Sequence, residues 1–175
     1  MLYRLGYGVV LFSAMIAVGC MSGNAPLEVV ERVDLNRYAG RWYEVASYPA
    51  PFQKDCTGTV ADYEVRNDGK VKVTNACYDH SLDGPVRQVT GTARVVDPES
   101  NAKLKVSFFW PFEGDYWIID LDEEYTWAVV GEPKRRYLWI LSRQPSLNEV
   151  IYEAILSRLP DKGYDPSLLQ KTLQR

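Results

Sequence analysis

The chain has 175 residues, of which 46% are hydrophobic and 13% aromatic, and its formal net charge is −3. This length is enough for one domain with a substantial core. The small negative charge excludes the broad basic surface of a nucleic-acid-binding domain, so we expect no nucleic acid among its partners.

The first segment of the chain predicts export. A single basic residue, Arg4, precedes an uncharged run over residues 5–19. This run is too short to span a membrane as a helix, and its length is typical of the apolar region of a signal peptide. We therefore expect residues 1–19 to be a signal peptide, residues 20–33 a tether and residues 34–175 the folded domain.

Small residues precede a cysteine at the end of this leader, in the order Ala17-Val18-Gly19-Cys20. The pattern resembles the lipobox of bacterial lipoproteins, in which the cysteine thiol carries diacylglycerol and becomes the first residue. The resemblance implies that Cys20 is lipidated. Since Met21 is not aspartate, it also implies an outer-membrane address that faces the periplasm. The alternative is an ordinary secretory signal in which Cys20 is incidental.

Short runs rich in Val, Ile, Thr, Tyr, Trp and Phe, separated by turn signals, make up most of the remaining chain. Eight such runs with regular turns predict a closed antiparallel barrel or a sandwich. We expect the strands at residues 41–48, 57–66, 70–78, 86–96, 103–109, 115–121, 125–131 and 137–142.

The register of one hairpin follows from its loop. Residues 67–69 form a three-residue loop that ends in glycine, which takes the left-handed conformation most easily. Alternation along the two strands then predicts that Tyr63 faces Val73 and that Asn75 faces Ala61. The opposite face of the hairpin is charged, so these residues belong to the inner side.

Cysteine usage fits the same compartment, because disulfides persist where export delivers a chain. With Cys20 assigned to lipidation, Cys56 and Cys77 remain as a possible pair. The hairpin register places Cys77 opposite Thr59, so a bulge or bend near residues 57–58 is needed to bring the bridged Cα atoms within about 7 Å. Two buried free thiols are the alternative.

The last three strands are apolar on both faces, so another element must cover them from outside. Alternation groups Trp117, Trp127 and Trp139 on one face, which we assign to the inside. This assignment pairs Trp139 with Val129 across the turn between the last two strands.

The segment after these strands predicts the covering element. Residues 146–149 match a capping box, and apolar residues follow it at helical spacing. The conformation of residues 164–175 stays open between a short helix and a strand. The predicted apolar face of the helix consists of Leu147, Val150, Ile151, Ala154, Ile155 and Leu159.

Three stretches in this order resemble the bacterial outer-membrane branch of the lipocalins. They are Gly40-Arg41-Trp42-Tyr43-Glu44-Val45-Ala46, Val106-Ser107-Phe108-Phe109-Trp110-Pro111-Phe112 and Tyr137-Leu138-Trp139-Ile140-Leu141-Ser142-Arg143. The resemblance implies a mainly β fold: an eight-stranded antiparallel up-and-down lipocalin barrel with one C-terminal amphipathic α-helix packed outside it.

The same resemblance assigns three residues to closure of the barrel. In the lipocalins the tryptophan of the first stretch fills the narrow end and the arginine of the last stretch lies across its ring, which here implies Trp42 and Arg143. A cation over an indole face contributes up to about 2 kcal/mol when it is shielded from water. Gly40 has no Cβ, so another backbone can pass close to it.

The resemblance implies that the barrel binds a ligand in a cavity. An eight-stranded barrel is either filled by its own side chains or holds one small ligand. By resemblance the ligands are fatty acids or lysophospholipids, stored or carried for outer-membrane maintenance under stress, with no cofactor and with a possible homodimer. The candidate ligand-binding residues are Tyr63, Asn75, Trp117, Trp127 and Trp139, among which Asn75 could fix a polar head group.

The chain contains few residues that could serve in catalysis. His80 is the only histidine, and it lies in a polar loop. The sequence contains no evident Ser-His-Asp set, phosphate-binding glycine loop or metal-ligand spacing, so we expect neither an enzyme nor a metal site. Two alternatives stay open: a lipocalin-fold enzyme that acts on a bound lipophile, and an envelope adaptor with a filled barrel and an apolar surface patch for a protein.

Overall fold

The computed structural model describes residues 25–175, so the expected signal peptide and Cys20 lie outside the described residues. Within these residues, two α-helices and nine strands follow one another. The helices are α1 (Leu35–Tyr38) and α2 (Glu149–Arg158). The strands are β1 (Gly40–Ser47), β2 (Cys56–Val65), β3 (Val71–Asp79), β4 (Val86–Val95), β5 (Lys103–Phe109), β6 (Phe112–Leu121), β7 (Trp127–Gly131), β8 (Leu138–Ser142) and β9 (Gln170–Lys171).

Strands β1 to β8 form a closed antiparallel barrel. Each strand pairs with the next along the chain, and β1 pairs with both β8 and β2. The predicted eight-stranded up-and-down barrel is therefore confirmed. In this topology the loops β1–β2, β3–β4, β5–β6 and β7–β8 all lie at one end, which we call the mouth. The N-terminal ends of β1, β3, β5 and β7 lie at the other, closed end.

The β2–β3 hairpin has the register that its loop predicts. Tyr63 lies opposite Val73, and Asn75 lies opposite Ala61. The register shifts between Thr57 and Val60, which confirms the predicted bulge. Gly58 takes a φ of +59° inside this bulge, a conformation that glycine adopts without steric cost.

Two apolar clusters form on the two faces of the barrel wall. The inner cluster lies in the barrel interior and includes Trp42, Tyr63, Val73 and Leu141. The outer cluster lies between the wall and α2, where Tyr152, Ile155 and Leu159 are buried. The predicted covering helix is therefore present outside the barrel.

The helix begins later, and turns a partly different face inward, than the capping-box pattern predicts. Asn148, not Ser146, is the N-cap, and its side chain accepts a hydrogen bond from the Val150 amide at 2.9 Å. Val150 is 78% exposed, whereas Tyr152 is buried. The predicted face is confirmed at Leu147, Ile155 and Leu159 and wrong at Val150, Ile151 and Ala154, which are exposed. It also omitted the tyrosine, which has a large apolar body.

The expected tether is packed against the barrel over most of its described length. Leu27 and Val33 are buried, and the Val30 amide donates to the Ile118 carbonyl at 3.1 Å. The structure thus packs residues 27–33 on the barrel, where the sequence predicts a tether. Isolated valines and leucines outside a periodic pattern gave no signal of this packing.

The end of the described chain completes the barrel wall at the mouth. Strand β1 pairs with β2 only over residues 40–43, and the two strands then separate. Residues 170–174 enter this gap: the Thr172 amide donates to the Val45 carbonyl, and the Gly58 amide donates to the Leu173 carbonyl, both at 2.8 Å. The open question about residues 164–175 is thus answered by a short 3-10 turn followed by β9.

Within residues 25–175 the structure contains no helix that is both long and apolar enough to cross a membrane.

Candidate functional site

Trp42 and Arg143 meet at the closed end of the barrel. The guanidinium carbon of Arg143 lies 3.9 Å from the centroid of the Trp42 ring. Its nitrogens donate to three main-chain carbonyls, those of Arg37 at 2.7 Å, Arg41 at 2.8 Å and Tyr125 at 3.3 Å. One side chain thus joins α1, β1 and the β6–β7 loop across this end.

Gly40 makes room for that guanidinium. Its φ is +94°, in the region that L side chains rarely adopt, and a Cβ placed on it would lie 3.4 Å from Nη1 of Arg143. Trp42 is fully buried, and its Nε1 donates to the Tyr38 carbonyl at 2.8 Å. The tryptophan is therefore held by both its ring face and its polar edge.

Three tyrosines lie inside the barrel, next to Trp42 at the closed end. The Tyr116 hydroxyl lies 2.7 Å from the Tyr38 hydroxyl and 2.9 Å from the Tyr63 hydroxyl. Burial raises the pKa of Tyr63 to about 12 and raises the pKa values of Tyr38 and Tyr116 well above their ordinary value. All three hydroxyls are therefore uncharged at neutral pH and satisfy one another.

The interior is filled around these tyrosines and accessible nearer the mouth. The cavity beside them has a volume of about 10 Å³, which is close to the space of one water molecule. On the same strands toward the mouth, Ala61, Asn75 and Val89 are only half-buried although they belong to the inner face. The interior, which we describe as cup-shaped, is therefore closely packed near the closed end and partly accessible to solvent nearer the mouth.

Two buried polar atoms of this upper wall have no hydrogen-bond partner. They are Oγ1 of Thr59 and Oδ1 of Asn75, on adjacent strands of the β2–β3 hairpin. A buried polar atom without a partner costs about 1–3 kcal/mol, so such atoms are normally satisfied by water or a ligand. Among the described residues, both atoms therefore have unused hydrogen-bonding capacity.

A buried carboxylate lies beside this wall. Glu44 is 5% exposed and accepts hydrogen bonds from Ser47 Oγ at 3.0 Å, Gln53 Nε2 at 2.7 Å and Thr172 Oγ1 at 2.6 Å. Gln53 in turn accepts a hydrogen bond at 2.8 Å from Nε1 of Trp139. The network ties the β1–β2 loop, the β8 strand and the C-terminal segment together at the mouth.

A cleft of about 590 Å³ opens next to this network. It lies between the β1–β2 loop and residues 170–173, and Glu44, Gln53 and Thr57 contribute to its polar lining. Its volume is within the range of small-molecule sites.

Two of the predicted ligand-binding tryptophans lie outside the barrel. Trp117 and Trp127 pack against the outer cluster under α2. The Lys103 ammonium lies 4.9 Å from the Trp117 ring centroid, and the Arg158 guanidinium carbon lies 5.5 Å from that of Trp127. Their assignment to the inner wall was wrong.

The cause is a register difference of one residue in the last hairpin. Trp139 pairs with Val130 rather than with Val129, and a bulge interrupts β6 between Ile118 and Asp120. A one-residue slip moves every side chain to the other face. Because both faces of these strands are apolar, the hydrophobic pattern alone did not fix the register. Trp139 itself packs against the inner cluster.

Sequence reasoning missed Glu44, Gln53, Tyr38, Tyr116 and Thr172. A signal existed for Glu44, because it shares the parity of Trp42 along β1 and is thus a charged residue on the inner face. Tyr116 lies inside through the same register difference that places Trp117 outside. Tyr38, Gln53 and Thr172 carry no periodic pattern, because they lie in α1, in the β1–β2 loop and near the end of the described chain.

The structure joins Cys56 and Cys77 by a disulfide with a Cα–Cα distance of 5.5 Å. The bond links the mouth ends of β2 and β3, next to the bulge. His80 follows β3 in the same region, with its side chain 72% exposed and Nδ1 at 3.3 Å from the Asp79 carboxylate. Among residues 25–175, no group of three or more His, Cys, Asp and Glu side chains is placed to hold a metal ion.

Comparison with solved structures gives similarity in fold. Insecticyanin from the tobacco hornworm Manduca sexta superposes with a TM-score of 0.69 at 19% identity, over 85% of this chain and 84% of that one. The cockroach allergen Per a 4 has a TM-score of 0.66 at 19% identity, over 85% and 93%. Both matches span the barrel and support the up-and-down fold.

Sequence comparison finds nearer relatives. The chain is 39% identical to temperature-induced lipocalin-1 of Arabidopsis thaliana, over 88% of this chain and 86% of the relative. It is 38% identical to the outer membrane lipoprotein Blc of Escherichia coli K12, over 89% and 88%, and 34% identical to that of Vibrio cholerae, over 91% and 93%. A lipocalin-like family profile matches residues 33–174. The chain therefore belongs to the lipocalin family.

Proposed function

We propose that this lipocalin binds a single-chain lipid, a fatty acid or a lysophospholipid, with its acyl chain in the accessible upper part of the barrel. The observation that carries the proposal is the cup-shaped interior, which is filled around Tyr63 and only half-buried at Ala61, Asn75 and Val89. An acyl chain contributes about 25 cal/mol for each Å² of apolar surface that it buries against such a wall.

The polar end of the lipid stays near the mouth in this proposal. Thr59 and Asn75 each carry one buried atom without a partner on this hairpin, and Gln174 Nε2 donates to the main-chain carbonyls of both Glu44 and Thr59. The Thr59 hydroxyl can donate a hydrogen bond to a carboxylate or phosphate oxygen of the head group, and Asn75 Oδ1 can accept one from a head-group hydroxyl or ammonium. The tyrosine cluster below has its hydroxyls already paired. Deep burial of an unpaired head group would be costly.

The cellular part of the proposal is storage or transport of lipids for outer-membrane maintenance under stress, without catalysis. The bacterial relatives are named outer membrane lipoproteins, and this supports an outer-membrane location. The lipobox-like sequence before Cys20 supports a diacylglyceryl anchor on the periplasmic side. His80, the one histidine, is a solvent-exposed loop residue and supports no acid–base chemistry.

Lipid binding is tested by adding a fatty acid or a lysophospholipid to the delipidated protein. Ligand at 100 times its dissociation constant is expected to raise the free energy of unfolding by about 2.7 kcal/mol and to change tryptophan emission. Trp139→Phe should reduce the emission change because Trp139 packs against the inner cluster. Trp117→Phe is the matched control, since Trp117 packs against the outer cluster. Absence of both a thermal shift and an emission change would support the adaptor with a filled barrel.

The anchor is tested separately. Cys20→Ser is expected to replace attachment that only detergent releases by a weaker association that washing of the membranes removes, because several acyl chains on one residue hold it firmly at a bilayer. Mass spectrometry of the first mature residue checks acylation directly. A variant that fractionates with membranes as the native chain does would rule out Cys20 as the sole attachment.

A further inference from the structure

The tip of the β5–β6 hairpin carries an apolar cluster that no part of the barrel covers. Phe109 and Phe112 pair across the tip and are 71% and 77% exposed, and Trp110 between them is 89% exposed. Large aromatic side chains contribute most when they are buried, so three of them together in solvent have no stabilising role in this fold. We call residues 109–112 the aromatic tip.

The charges nearest to the aromatic tip are paired with one another. Residues 106–112 contain no charged side chain. Glu113 accepts two hydrogen bonds from Arg94, at 2.9 and 2.7 Å, and Lys105 lies 2.9 Å from Asp115. The Arg94 hydrogen bonds lower the pKa of Glu113. The part of the hairpin next to the aromatic tip therefore carries ion pairs, and the aromatic tip itself exposes only apolar side chains.

The aromatic tip projects from the mouth of the barrel. The pairing of β6 with β7 ends where Trp117 meets Gly131, and residues 112–116 continue past that point. At about 3.4 Å per residue, this extension is roughly 17 Å long. Phe52 in the β1–β2 loop and Val86 at the start of β4 add exposed apolar side chains at the same end.

The described chain also begins at the mouth. The Ala25 carbonyl accepts a hydrogen bond at 2.6 Å from Arg135, in the β7–β8 loop. Cys20 precedes Ala25 by five residues, which span at most about 18 Å when fully extended. A lipid on Cys20 is thus restricted to the end of the molecule from which the aromatic tip projects.

From this placement we propose that the aromatic tip inserts into the interfacial layer of a lipid bilayer, the one that carries the anchor. Tryptophan and phenylalanine on an uncharged projection suit that layer, where an amphipathic ring gains from both the acyl chains and the head groups. Insertion would hold the mouth against the source of the lipids. This part rests on the proposed function, whereas the insertion itself requires neither a bound ligand nor an acyl anchor.

The test measures binding of the non-acylated chain without its leader, residues 20–175 with Cys20→Ser, to vesicles of phosphatidylethanolamine and phosphatidylglycerol by flotation. The chain with an intact tip should float with the vesicles. Substitution of Phe109, Trp110 and Phe112 by serine should weaken vesicle binding at least about tenfold. Val150→Ser is the control, because Val150 is an apolar residue 78% exposed on α2 and not on a mouth loop, and it should bind like the parent chain.

A second measurement locates the insertion. Lipids brominated near the head group should quench part of the tryptophan emission, and Trp110→Phe should remove that part while vesicle binding persists. The fatty-acid thermal shift of the tip variant should equal that of the parent, which separates a failure of insertion from a failure of lipid binding.

Two results would overturn the proposal. One is equal vesicle binding by the tip variant and the parent chain. The other is a parent chain that fails to float and instead forms a dimer that the serine substitutions dissociate, since a second copy would then cover the aromatic tip.

Discussion

Replacement of Trp42 by alanine is expected to lower the free energy of unfolding by about 3–5 kcal/mol, the range for large-to-small changes at a buried aromatic residue. The side chain is fully buried, its ring lies under the Arg143 guanidinium and its Nε1 is bonded to the Tyr38 carbonyl. The substitution therefore leaves a cavity and exposes the ring-facing side of a cation. Denaturant unfolding of both proteins measures the difference.

Trp110→Ala is the matched control for this experiment. It removes the same side chain at a site that is 89% exposed, so its effect on stability should stay within about 0.5 kcal/mol. Arg143→Ala alone and together with Trp42→Ala completes a double-mutant cycle. A coupling energy near zero would contradict a contribution from the stacked pair.

Loss of the Cys56–Cys77 disulfide is expected to cost about 3 kcal/mol in the chain-entropy model, given the loop that it closes. The sequence separation of the two cysteines is 21 residues. Substitution of both by alanine should lower the denaturant midpoint and leave the fold intact, because the β2–β3 ladder does not depend on the bond.

Cys20→Ser is the right background for this measurement, since the sequence has three cysteines and only this pair then remains. Reduction of the parent chain should reproduce the loss of stability, and reduction of the Cys56→Ala, Cys77→Ala variant should change nothing. Two thiols that titrate in the unfolded but unreduced chain would show that the bond is absent.

The sequence predicts the fold correctly in strands that have one face exposed to solvent. In β2 and β3, charged residues such as Glu64 and Lys72 mark the outside, so the register, the inner position of Asn75 and the bulge near Gly58 all follow from alternation. Closure of the barrel by Trp42 and Arg143 followed instead from resemblance, because nothing in the spacing of the two residues brings them together.

Prediction fails where both faces are apolar or where contacts are remote. The wall under α2 is apolar on both sides, and its tryptophans were placed inside although Trp117 and Trp127 lie outside. The Glu44 network depends on Thr172, which is distant in the chain and carries no periodic signal. Burial of a polar side chain of this kind is decided by its tertiary partners.

Residues 170–174, which fill the gap between β1 and β2, determine which part of this barrel forms last. Gln174 Nε2 donates to the carbonyls of Glu44 and Thr59, at 2.8 and 2.9 Å, and so connects the two separated strands. These contacts join residues that lie more than a hundred positions apart, and such long-range contacts form late because a large loop must close first. Strands β1 to β8 can pair while this seam still stands open, because none of their pairings uses residues 170–174. Only the arrival of residues 170–174 makes the wall continuous.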